Sequence, residues 1–105
     1  MAEIPTEIID RIHRFISELE RQKIRINRAI LFGSYANGTY NDWSDIDLAI
    51  TSDQFTGNRL TDKSLLRKIK AKIDYSISPL PYKPEDFNES DFFVKKIMEE
   101  GISII

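Results

Sequence analysis

The stretch that decides the fold is Gly33-Ser34-Tyr35-Ala36-Asn37-Gly38, followed after six intervening residues by Asp45-Ile46-Asp47-Leu48. It comes directly after Ile26 to Phe32, a short apolar segment that is typical of a buried strand. Gly33 lets the backbone turn sharply and brings main-chain N–H groups close to an anion, and Ser34 adds a hydroxyl. The sequence therefore predicts a phosphate-binding loop at the end of a strand.

A second strand is predicted over residues 45–51, where acidic or small residues alternate with large apolar ones. Asp45 and Asp47 then project from the same face of the strand, while Ile46, Leu48 and Ile50 face the core. Two carboxylates at this spacing are hard oxygen ligands within reach of one divalent cation. We expect this pair to bind Mg²⁺.

A third strand is predicted over Ile73 to Ser78, where the alternation places Asp74 on the polar face. If this strand neighbours the second one, Asp74 joins Asp45 and Asp47 in a cluster of three carboxylates. The competing interpretation is that Asp74 lies at the surface and caps the turn out of the preceding helix. The clean separation of polar from apolar positions favours the cluster.

The rest of the pattern predicts helices and a final edge strand around these strands. The predicted elements are a helix from Thr6 to about Gln22, a helix from Thr61 to about Lys72, an irregular connection at prolines 79, 81 and 84, a helix that starts at Ser90 or Asp91 and closes at Gly101, and an edge strand from Ile102 to Ile105.

Strands that alternate with helices in 105 residues predict one α/β domain over residues 1–105. We expect helices on one face of its sheet, with the other face left for a site.

The amino-acid composition excludes several classes of function. Fifteen basic against seventeen acidic residues give a net charge of −2, so autonomous binding to nucleic acid is not expected. The absence of cysteine excludes thiolate chemistry and fits a reducing compartment. The apolar runs are far shorter than the roughly 20 residues of a membrane span, and the N-terminal residues lack the pattern of a secretory signal. We therefore expect a cytoplasmic protein without a membrane segment.

Three carboxylates that face a phosphate-binding loop form the arrangement used for in-line nucleotidyl transfer. Metal ions held by the carboxylates would clamp the attacking and leaving oxygens and neutralise the developing charge. In this hypothesis Asp74 ligates the metal that activates the acceptor hydroxyl, or takes its proton.

The Gly33-Ser34 pair, Gly38 and the run Ser44-Asp45-Ile46-Asp47-Leu48 resemble the signature of the polymerase-β-like nucleotidyltransferase superfamily. The short chain resembles the minimal nucleotidyltransferase (MNT) branch, from the first helix to the C-terminus. The resemblance implies a small mixed sheet in which Asp45 and Asp47 bind magnesium and also contact the nucleotide. It further implies that Asp74 completes a catalytic and metal-binding triad, while Gly33 and Ser34 hold the triphosphate of ATP.

Proteins of the MNT branch are commonly antitoxins paired with a helical HEPN ribonuclease toxin, and some transfer AMP from ATP to a toxin tyrosine. The resemblance thus implies a Mg²⁺-dependent antitoxin enzyme with a HEPN-type partner. One departure is Asn37, where many active members carry an arginine that supplies charge to the phosphates.

Two other functions stay open at this point. A catalytically weak or inactive antitoxin would neutralise its partner by binding alone, and Asn37 favours that alternative. The other function is transfer of a nucleotide to an antibiotic hydroxyl. That reaction is typical of larger relatives with an added substrate domain, and the missing domain counts against it here. The apolar segment Ile102 to Ile105 also leaves room for a homo-oligomer, because an unpaired edge can bind a second subunit.

Overall fold

The computed structural model describes residues 4–105, which form a four-stranded mixed sheet with helices. This confirms the predicted α/β class. In chain order the elements are α1 (Thr6–Arg21), β1 (Arg28–Phe32), α2 (Ser34–Asn37), β2 (Ile46–Thr51), α3 (Arg59–Ile73), β3 (Ile77–Tyr82), a 3₁₀ turn (Pro84–Asp86), α4 (Phe92–Glu100) and β4 (Ile102–Ser103).

The strands lie in the order β3-β2-β1-β4. Strand β1 pairs antiparallel with both β2 and β4, whereas β2 and β3 are parallel and are joined across α3. The predicted edge strand at the C-terminus is therefore present and paired with β1, over two residues. None of the helices in residues 4–105 combines the length and the apolar character needed to cross a membrane.

The larger core lies between one face of the sheet and helices α1 and α3. Because side chains alternate along a strand, every second residue of β1 and β2 faces these helices. The buried residues on this side include Ile12, Phe15 and Leu19 of α1, Leu31 of β1, Ile46, Leu48 and Ile50 of β2, Leu66 and Ile69 of α3, and Ile77 of β3.

Helix α4 packs on the opposite face, which corrects the prediction of helices on one face only. Val94 and Ile97 of α4 form a second core with Ile30 and Ala49, the apolar residues that β1 and β2 present on that side. Tyr82 and Phe87 belong to the same cluster. The sequence could not show which face an amphipathic helix covers. The face left open is therefore smaller than expected.

The predicted third strand is wrong in position: α3 continues to Ile73, and β3 begins only at Ile77. Ile73 continues the apolar stripe of α3 and packs against the larger core, which favours helix over strand at this residue. Tyr75 is exposed, so the apparent alternation around it does not reflect a buried face. Residues 79 and 81, predicted to be irregular, lie inside β3 instead.

Strand β3 tolerates two prolines because of the way it pairs. The N–H groups of Ile46 and Ser52 donate to the carbonyls of residues 76 and 82, so the even-numbered residues of β3 bond to β2. Pro79 and Pro81 occupy odd positions, where an N–H would point away from the sheet and be unpaired. Lys70 Nζ also donates to the outward carbonyl of Ile77 at 2.9 Å. This edge offers little to a further strand.

Helix ends follow local capping. Asn58 caps α3 by accepting a hydrogen bond from the Thr61 N–H, so the helix begins two residues before the predicted start at Thr61. Asp91 caps α4 by accepting from the N–H groups of residues 93 and 94, as predicted. Gly101 ends α4 where a Cβ would lie 2.5 Å from the carbonyl oxygen of Ile97.

Candidate active site

The loop after β1 turns at Gly33, which has a φ of +75°, in the region that disfavours residues with a side chain. Its carbonyl accepts from the N–H groups of Ala36 and Asn37 and closes the single turn of α2. The N–H groups of Ser34 and Tyr35, at the start of that turn, have no acceptor within the helix. The loop thus presents main-chain donors and the Ser34 hydroxyl at the end of β1.

The carboxylate of Asp47 lies directly against this loop. A Cβ placed on Gly33 would meet Asp47 Oδ2 at 2.3 Å, so only glycine leaves room for the carboxylate. The close approach arises because Asp47 pairs with Phe32, the residue before Gly33, across the β1–β2 ladder. The structure therefore brings the predicted loop and one predicted carboxylate into contact.

Asp45 lies just before β2 and is exposed, whereas Asp47 is half-buried. Burial raises the pKa of Asp47, and the negative charge of Asp45 raises it further. Among residues 4–105, no lysine or arginine forms an ion pair with either carboxylate. The pair is therefore a concentration of negative charge without a protein counterion, which suits a cation.

Asp74 does not join this pair. It follows the last residue of α3, and its carboxylate accepts two hydrogen bonds from the Arg11 guanidinium of α1, the second at 2.9 Å. It also accepts from the Ser76 N–H at 2.9 Å. In the part of the chain that the structure describes, no three Asp, Glu or His side chains are placed to hold one metal ion. The structure therefore pairs Asp74 with Arg11 at the end of α3 and does not bring it into the predicted three-carboxylate cluster, so its catalytic and metal-binding role stays a prediction.

The Arg11 hydrogen bonds hold the pKa of Asp74 below its usual range, against the opposing effect of burial, and the Ser76 N–H lowers it further. A carboxylate held in this way is a poor proton acceptor, because its ionised form is already stabilised.

Ser78 is the residue that sequence reasoning missed. The parallel register places it beside Asp47 on the neighbouring strand, and adjacent residues in a parallel ladder share a face. The sequence does contain a signal for this position. Pro79 and Pro81 are two residues apart, a spacing that an edge strand tolerates, and a third strand predicted to include them would extend to residue 82.

A cavity of about 280 Å³ adjoins the loop on the side of α4. Gly33 and Asn37 form one wall, and Phe93 and Lys96 of α4 line the other. The Asn37 side chain accepts hydrogen bonds from the N–H and hydroxyl of Thr39, so at this position the loop carries a neutral amide.

The two aromatic residues between the loop and Asp45 differ in role. Tyr40 stacks on Tyr35 with a ring separation of 4.5 Å, which anchors the segment to α2. Trp43 is 92% exposed, in a turn fixed by the 2.8 Å hydrogen bond from its N–H to Asn41 Oδ1.

A glycine-centred loop thus lies against an acidic pair at one end of the mixed sheet of an α/β domain. Residues 9–104 match the family model of the nucleotidyltransferase domain. The chain therefore belongs to the nucleotidyltransferase domain family.

Two similar proteins come from Methanocaldococcus jannaschii, and both bear the name "Putative protein adenylyltransferase". MJ0141 is 38% identical over 82 residues, which are 73% of this chain and 81% of that protein. MJ0604 is 34% identical over 93 residues, which are 86% of this chain and 90% of that protein.

A crystal structure of a toxin-antitoxin with AMP-PNP has a chain with the same fold. Its TM-score is 0.62 at 19% identity, over 92% of this chain and 72% of that chain.

Proposed function

We propose that this protein is a Mg²⁺-dependent protein adenylyltransferase that transfers AMP from ATP to a cognate HEPN-type ribonuclease toxin. The acceptor is a hydroxyl group of the toxin, that of a tyrosine side chain. By this transfer the protein acts as the antitoxin. The observation that carries the proposal is the contact between Asp47 and the Gly33 loop. This contact supports a cation site at Asp47 beside a phosphate site at the loop, the arrangement that transfer from a nucleoside triphosphate requires.

The residues present fit magnesium. Mg²⁺ in phosphoryl-transfer sites is commonly bound by one or two carboxylates together with substrate phosphates and water. Asp45 and Asp47 supply the carboxylates, and no basic side chain within residues 4–105 competes for them. An ion held by Asp45 and Asp47 would supply positive charge that neutralises the phosphates during in-line attack.

The loop binds the triphosphate. The N–H groups at the start of α2 and the Ser34 hydroxyl donate hydrogen bonds to phosphate oxygens, and the absence of a side chain at Gly33 lets the phosphates approach Asp47. Asn37 adds no positive charge, so the loop relies on main-chain donors and on the cation.

In the reaction, the acceptor hydroxyl oxygen bonds to the α-phosphorus while the bond from that phosphorus to the bridging oxygen breaks. The products are an AMP ester of the acceptor and diphosphate, and the hydroxyl proton leaves to solvent or to a basic group. The names of the M. jannaschii relatives support a protein as acceptor, and the toxin-antitoxin neighbour supports a toxin.

The test is the intact mass of a HEPN-type partner after incubation with this protein, ATP and MgCl₂. We expect a gain of one or more AMP units that is absent with the Asp45→Asn/Asp47→Asn variant. No gain, with a complex still formed by both versions, would overturn the catalytic proposal.

A second candidate function is neutralisation by binding alone. It is favoured by the specific observation that, within residues 4–105, Asp74 does not join Asp45 and Asp47 but is held by Arg11. The same variant separates the two functions in cells. Loss of protection from the toxin indicates chemistry, whereas full protection indicates occlusion.

A further inference from the structure

Ser78 occupies the position from which a third side chain would reach the cation site. Its register partner is Asp47, and Ile77 pairs with Ile46 on the buried face, so the alternation of both strands directs Ser78 to the face of the carboxylates. Ser78 is partly exposed. No other residue of β3 lies opposite Asp47.

Asp74 cannot substitute for this position while the fold is intact. Its side chain is 12% exposed and forms a two-pronged ion pair with Arg11, which reaches it from α1 on the other side of the sheet. To serve as a ligand, Asp74 would have to leave Arg11 and the Ser76 N–H. That movement would leave the partly buried guanidinium of Arg11 without its ion-pair partner.

We propose that Ser78 fills the third ligand position of the metal site with a neutral hydroxyl, so that this chain holds the cation with two carboxylates only. This inference rests on the proposed function and deepens it. A neutral oxygen contributes far less to cation binding than a carboxylate does, because the interaction lacks the charge term.

Two consequences follow for the reaction. The free protein binds Mg²⁺ weakly and binds it well only with ATP, whose phosphates supply the missing negative charge. Residues 4–105 also place no third carboxylate at the site to take the proton of the acceptor hydroxyl, so that proton leaves to water or to a group on the acceptor protein.

The experiment measures the affinity of the nucleotide-free protein for Mn²⁺, by electron paramagnetic resonance of the free ion, in four variants. Ser78→Asp should bind Mn²⁺ about tenfold more tightly or better, because it adds a charged ligand. Ser78→Ala, which loses only a neutral oxygen, should bind Mn²⁺ slightly more weakly than the natural protein and far more weakly than Ser78→Asp. Ser64→Asp, the same change on the exposed side of α3, is the matched control and should have no effect. Asp74→Asn should not weaken binding.

A thermal melt gives a second readout. Without metal, Ser78→Asp should melt at a lower temperature than the natural protein, because a third carboxylate joins two others. An excess of MgCl₂ should raise its melting temperature more than that of the natural protein.

An unchanged Mn²⁺ affinity in Ser78→Asp, or a tenfold loss in Asp74→Asn at a temperature where it is folded, would overturn the inference. The affinity does not depend on an acceptor. Tighter binding by Ser78→Asp therefore supports the ligand position even where no AMP transfer is found, a result that would remove the proposed function alone.

Discussion

Replacing Asp74 by asparagine should destabilise the protein without removing its chemistry. The substitution keeps an oxygen that can accept from the Ser76 N–H but loses the charge that pairs with Arg11. Hydrogen bonds to charged groups contribute about 1.5 to 3 kcal/mol each, and partial exposure of Arg11, at 26%, reduces this by screening. We expect a loss of about 1 to 2 kcal/mol in the free energy of unfolding, which lowers the melting temperature by about 4 to 8 °C for each kcal/mol.

The pH dependence of this loss has a definite sign. Because the pKa of Asp74 is lowered in the folded protein, its ionised form stabilises the fold above the unfolded value of about 3.9. The contribution is lost as the pH falls through the lowered pKa of the folded state. Urea unfolding followed by circular dichroism should therefore show a gap between natural protein and variant at neutral pH that closes in acid.

The control is Asp42→Asn, the same change at an exposed position, which should leave stability unchanged. A double-mutant cycle with Arg11→Met isolates the pair from other effects of each substitution. The reasoning would be refuted if Asp74→Asn kept the stability of the natural protein and yet lost AMP transfer. That combination is what a catalytic Asp74 would produce.

Three further outcomes follow from the structure. Gly33→Ala should reduce Mn²⁺ affinity and AMP transfer, because the new Cβ displaces the Asp47 carboxylate; unchanged affinity would contradict the contact. Asp62→Ala should lower the free energy of unfolding by about 2 to 3 kcal/mol in urea, because this residue, 4% exposed, accepts three hydrogen bonds from the turn before α3. Replacing Pro79 and Pro81 together by threonine should promote self-association in analytical ultracentrifugation, since it places N–H donors on an open edge; a purely monomeric variant would argue against that role.

Local patterns predicted most of the elements. The apolar residues of α1 recur only at the helical period, and those of β2 recur only at the strand period. Each segment therefore has one interpretation. The turn at Gly33 was also predictable, since a glycine after an apolar strand has few other uses. These features alone predict that Asp45 and Asp47 project from one face of β2.

The segment from Ile73 to Tyr82 was not predictable in the same way. Ile73 satisfies both the stripe of α3 and the alternation of a strand, and only packing against the core decides between them. Prolines usually interrupt strands, and their acceptance in β3 depends on which residues bond to β2, a property of register. The strand lies four residues later than predicted, and this shift puts Ser78 instead of Asp74 opposite Asp47.

Within the described part of the chain, Asp47 differs from the other buried acidic residues in having no partner for its charge. Asp62 accepts three hydrogen bonds, and Asp74 is paired with Arg11, so the charge of each is compensated. Asp47 is half-buried beside another carboxylate and, within residues 4–105, has neither a hydrogen bond nor an ion pair from a side chain. A half-buried carboxylate without a partner lowers the free energy of unfolding, and a bound cation would raise it again. The same fold that compensates Asp62 and Asp74 leaves Asp47 open beside the Gly33 loop, which supports the proposed metal-assisted nucleotidyl transfer.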